Sequence, residues 1–98
     1  MDDLLQIDDF KPHVGKLFRF KGTRHAFPLD RIVSNRQPLR KGMQRQPFML
    51  IFSGPKEPDY LPEGMYDCEV EGGPSYQIYV SPFQTPEPDR QEYQAAFN

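Results

Sequence analysis

The chain is predicted to be all-β: one small barrel or sandwich of about six strands, with a short N-terminal helical turn. Three observations carry that prediction. Apolar and polar residues alternate through Leu17–Phe20, Phe48–Phe52, Tyr66–Val70 and Tyr76–Val80, and period 2 is the mark of a half-buried strand. These runs recur at roughly 8–12-residue spacing, as in small barrels and sandwiches. Eleven Pro and seven Gly argue for many turns and against long helices.

Taken in order, Met1 to Asp9 reads as a mobile tail running into a short helical turn toward His13. Asp8 or Asp9 would cap that turn, with Leu5 and Phe10 as anchors. After Val14-Gly15, Phe18 and Phe20 alternate with Arg19 and Lys21 in a first strand, and Lys21-Gly22-Thr23 suits a turn. A second strand spans Ala26 to Ser34, where Pro28 demotes the start to an edge or a bulge. From Asn35 to Gln46 the chain is polar with Pro38 and Gly42 inside, a long loop. Loops beyond about a dozen residues are uncommon unless functional or mobile.

PFMLIFSGP follows, with Phe48, Leu50 and Phe52 on one face and Met49 and Ile51 on the other. Two apolar faces predict a central strand, or one face covered by the N-terminal segment. Pro55 to Gly64 is a Pro-rich turn. The next strand places Tyr66, Cys68 and Val70 inward and Asp67, Glu69 and Glu71 outward. Glu71-Gly72-Gly73-Pro74 is a hairpin signal leading into YQIYVSPF, with Tyr76, Ile78 and Val80 inward. Pro82 to Asp89 reads as extended loop. In RQEYQAAFN, Tyr93, Ala95 and Phe97 alternate as in a strand, although Gln94-Ala95-Ala96 also suits a short helix; the strand fits the spacing better.

A chain of 98 residues fits a single domain with one modest core. That core must be mostly aromatic, since eight Phe and five Tyr stand beside few Val and Ile. Cys68, the only cysteine, excludes an intrachain disulfide and a cysteine-based zinc site. The opening MDDLLQIDDF has no basic n-region and no long apolar run, so it is not a secretory signal, and no membrane-spanning stretch follows. The expectation is a soluble cytoplasmic protein.

Charge is strongly partitioned. Between Lys11 and Leu50 lie ten Lys or Arg and a single acid, Asp30, whereas Ile51 to Asn98 holds nine acids against Lys56 and Arg90. Such a split means a basic patch for a polyanion, or halves that neutralise each other on folding, or subunits meeting opposite face to opposite face. Arg19 and Lys21, with Arg36, Arg40, Lys41 and Arg45 in the long loop, are the basic candidates for an interaction surface. Asp67, Glu69 and Glu71 are the acidic ones. The loop holds no aromatic residue for stacking on bases, and the overall pI of about 5.6 is low for a nucleic-acid module.

Nothing in the chain supplies a nucleophile with its base. Cys68 alternates with core residues and reads as a buried small hydrophobe. His13 and His25 lack metal-motif spacing, and three exposed acids on one strand face are not an acid–base pair with split pKa values. No catalytic residue, metal or cofactor is therefore expected.

Three stretches carry a resemblance: FKPHVGKLFRF, QPFMLIFSGPKEPDYLPEGMY and EYQAAFN. Together they resemble a bacterial domain-of-unknown-function family with an F-x-x-HVG-x-x-F start, a PF-x-L-x-F-x-GP and LP-x-G-x-Y centre and a Y-x-A-x-FN end. The match runs from Phe10 to Asn98. The resemblance implies a small assembly or accessory protein, often accompanying phage-tail-collar-like proteins, and it transfers no catalytic residue. The expected function is a non-enzymatic protein–protein interaction module, with a homo-oligomer as a further option and another protein as partner. Polyanion binding through the loop 35–46 is the alternative.

Overall fold

In the computed structural model of the chain, residues 5–34 and 47–97 are described. A one-turn helix α1 (Ile7–Phe10) and a 3-10 turn (Lys11–His13) precede six strands. These are β1 (Leu17–Phe20), β2 (Ala26–Ser34), β3 (Phe48–Pro55), β4 (Gly64–Val70), β5 (Ser75–Phe83) and β6 (Arg90–Phe97). They close into an antiparallel barrel in the order β1-β2-β3-β6-β5-β4. The open choice between barrel and sandwich falls to the barrel, and the C-terminal segment is a strand with Tyr93 and Ala95 buried.

The barrel closes because two long strands change partner midway. β2 pairs with β1 through Ala26–Pro28 and with β3 through Leu29–Ser34. β5 pairs with β4 through Ser75–Val80 and with β6 through Ser81–Phe83. Pro28 is harmless for a geometric reason. Leu29 N–H donates to Lys16 O and Phe20 N–H to His25 O, so the intervening Leu17–Pro28 pair is a non-hydrogen-bonded one. The proline nitrogen then points away from β1, where pairing with β3 has not yet begun. The irregularity expected at Pro28 instead falls between Leu29 and Arg31. Pro82, expected in a loop, lies inside β5 opposite Tyr93, because the strand must run on to meet β6.

Where strands part, side chains fill the space. Phe10, fully buried, packs its ring 4.8 Å from Tyr76, 5.4 Å from Phe97 and 5.9 Å from Phe48, closing one mouth of the barrel. The segment expected to be a tail is thus partly in place: Leu5 and Ile7 pack against the core. Met1 to Leu4 lie outside the described residues. Asp9 caps α1 from inside it, accepting the Gln6 N–H at 2.7 Å as in a capping box, whereas Asp8 reaches Lys11 at 3.3 Å. At the other mouth Leu61 is buried and its N–H donates to the Tyr93 hydroxyl at 3.1 Å.

Between β2 and β3 the Phe27 ring lies directly on Gly54 and stacks on Tyr93 at 4.5 Å, 13° from parallel. A Cβ on Gly54 would sit well inside van der Waals contact of Phe27 Cδ1 and Cε1, and Tyr93 blocks the ring's retreat. Gly54→Ala is expected to lower stability by about 1–3 kcal/mol in urea unfolding, as overpacking does. An unchanged midpoint would show that the ring can move aside.

Ile51, on the face of β3 away from the core, is 3% exposed. β3 is a central strand there, flanked by Arg31 of β2 and Gln94 of β6. The N-terminal segment covers the mouth rather than this face.

Candidate functional site

β4 and β5 carry the surface on which the candidate residues meet. Strand alternation turns Cys68 and Val70 inward and leaves Met65, Asp67 and Glu69 exposed in one outward row, with Glu71 just beyond. Across the ladder, Tyr79 stands opposite Met65, Gln77 opposite Asp67 and Ser75 opposite Glu69. On the β1 side Arg19 stands opposite Glu69, and Lys21 donates its N–H to Asp67 O at 2.9 Å. The fold thus brings Arg19, Lys21, Asp67, Glu69 and Glu71 onto one face. Arg36, Arg40, Lys41 and Arg45 lie outside the described residues.

These charges are close yet not paired. Among the described residues Asp67, Glu69, Glu71, Arg19 and Lys21 form no ion pair within 4.0 Å. The acidic row ends on an apolar step: Met65 is 58% exposed and Tyr79 49%. The Tyr79 hydroxyl donates to the Glu63 carboxylate, and that bond to an anion raises the phenol's pKa. A cavity of about 330 Å³ lies between β1 and the β4–β5 turn, lined by Leu17, Arg19, Glu69, Glu71 and Gly72.

Part of the charge partition is spent inside the molecule. Arg24 of the first half holds Asp59 at 2.8 Å and Glu57 at 3.2 Å of the second, which raises its pKa and lowers that of Asp59. Arg31 holds Glu92 at 3.3 Å, and Arg90 meets the same oxygen at 3.2 Å. Glu92 is 3% exposed although it faces outward from β6. Sequence reading misses this cluster, because a glutamate at an outward strand position reads as solvated. The neighbouring Arg90, two residues away on the same face, is the one signal for it.

Cys68 is fully buried, and burial, with Asp67 adding to it, pushes its thiol up to about 12. It should therefore react with a thiol reagent slowly in the native protein and fast once unfolded. Equal rates in both states would mean an accessible sulfur. His13 packs edge-on against Phe18, whereas His25 lies by Phe27, and no group of three metal-ligating side chains forms among the described residues. No helix among them is long and apolar enough to cross a membrane.

Fold and surface together define a class: a small closed six-stranded antiparallel barrel, plugged at one mouth by an N-terminal helical turn. Residues 5–97 match the family described as Domain of unknown function (DUF6916), and the chain belongs to it. No curated protein and no solved structure matches the chain.

Proposed function

We propose that this chain is a non-enzymatic interaction or assembly module that docks a basic segment of another protein on the outer face of β4 and β5. One observation carries the reading. Met65 and Tyr79 are exposed cross-strand neighbours at the end of an acidic row whose carboxylates have no cationic partner among the described residues. An aromatic and a thioether contact ringed by polar groups is the composition of an interface core and rim. Unpaired acids select a cationic partner, speed its encounter and disfavour anionic ones, nucleic acid included. Accessory work beside phage-tail-like proteins is the setting we propose for it.

The test compares tagged wild type with Met65→Ala/Tyr79→Ala and with Asp67→Lys/Glu69→Lys, in native lysate at about 150 mM salt, where the Debye length is near 8 Å. Wild type should retain a protein in stoichiometric amount and no DNA or RNA. Both variants should fold, since exposed substitutions typically change stability by less than about 0.5 kcal/mol, and both should lose the partner. Retained nucleic acid, or a partner indifferent to both variants, would overturn the reading.

A further inference from the structure

We propose that residues 5–13 form an acid-sensitive plug, in which protonation of His13 loosens α1 and the 3-10 turn from the barrel mouth and uncovers Phe48, Tyr76 and Phe97. The plug is held mainly by side chains. Among the described residues, the backbone bonds from Gln6 to Val14 stay within the segment and its linker, Lys16 N–H to His13 O included, apart from Asp9 O, which accepts from the Tyr76 hydroxyl at a long 3.4 Å. From Gln6 onward, backbone-to-backbone bonding to the barrel among the described residues begins at Gly15, whose N–H donates to Leu29 O at 2.8 Å, followed by Leu29 N–H to Lys16 O at 3.0 Å. Gly15 has φ of 89°, a conformation glycine adopts without strain, so the segment meets the barrel through a single turn residue.

His13 is the titratable side chain at that junction. Its ring lies 6.4 Å from Phe18 and 6.3 Å from Tyr76, and its Nδ1 is buried with no hydrogen-bond partner among the described residues. In the neutral ring with Nε2–H, Nδ1 is only an unused acceptor. A second proton makes it a buried donor with nothing to accept, and an unmet buried donor is destabilising. The surrounding charges give no relief. Lys16 opposes a positive ring, and Lys11 is paired with Asp8. The Asp9 carboxylate holds the Gln6 N–H, and Tyr76 on β5 is a phenol that burial keeps protonated. From β1 the ring meets Phe18, and Glu71 on the β4–β5 turn makes no ion pair with it.

Burial first, then Lys16, holds His13 below its ordinary 6.5. The sign follows. The closed plug binds the proton less well than the released one, so closure is at full strength above pH 6.5. It weakens as pH falls from there toward the pKa of the closed state, and no further below it.

Amide hydrogen exchange on the full chain at about pH 7.5 and about pH 5, on either side of the histidine range and corrected for intrinsic rates, reads the opening directly. At the lower pH the opening of the Asp9 and Val14 amides should rise several-fold relative to Phe52 in β3. His13→Phe keeps an aromatic ring and removes the proton site, and its plug should open equally at both values. His13→Lys should stay open at both. No rise in the wild type, or the same rise in His13→Phe, would overturn the proposal. His13→Gln serves in its place if the phenylalanine variant does not fold.

Discussion

Phe10→Ala is expected to destabilise the protein by about 3–5 kcal/mol, the range for removing a fully buried aromatic ring. Domain stabilities are typically about 5–15 kcal/mol, so this one change would remove a large share of the barrel's stability. The cause is local. Phe10 reaches between Phe48, Tyr76 and Phe97, and the neighbouring ring contact, the 4.7 Å stack of Phe48 on Phe97, cannot fill the space from its fixed positions on β3 and β6. Urea unfolding followed by circular dichroism gives the number. A loss under about 1 kcal/mol would mean that the mouth collapses to fill the hole.

The second large effect lies at Glu92. Arg31→Ala/Arg90→Ala should cost about 3 kcal/mol at neutral pH, because it strands a carboxylate that is 3% exposed. The value is set at the low end of about 3–5 because both arginines are themselves partly exposed, at 47% and 39%, and water will enter where they leave. Adding Glu92→Leu should recover most of the loss, since an apolar group needs no partner there. A double variant as stable as wild type at neutral pH would show that the pairs contribute nothing.

Much of the barrel was legible because alternation survives wherever one face is buried. Phe18 and Phe20, Cys68 and Val70, Ile78 and Val80, and Tyr93 and Ala95 all sit inside as their spacing requires. The changes of partner in β2 and β5 were not legible, because a strand that switches neighbours keeps the same side-chain period. Pro28, read as an edge or a bulge, does sit where β2 has β1 on one side only, with the register shift just beyond it, whereas Pro82 reads as loop and lies inside β5. At the surface, alternation alone turns Arg19 and Glu69 outward, whereas their meeting comes from the β1–β4 pair that closes the barrel. The pairing of Arg24 with Asp59 and of Arg31 with Glu92 depends on the closed topology, which local pattern does not carry. Part of the charge partition is therefore neutralised within the molecule, and the acids of β4 have no ion-pair partner among the described residues.

Those acids, with Met65 and Tyr79, are where the central claim is tested most directly. A photo-crosslinking residue placed at Gln77, exposed between the acidic row and Tyr79, should trap one discrete protein in living cells. The same residue at Ala96, exposed on the outer face of β6, should trap none. Equal adducts at both positions, or an adduct at Ala96 alone, would contradict a docking face on β4 and β5.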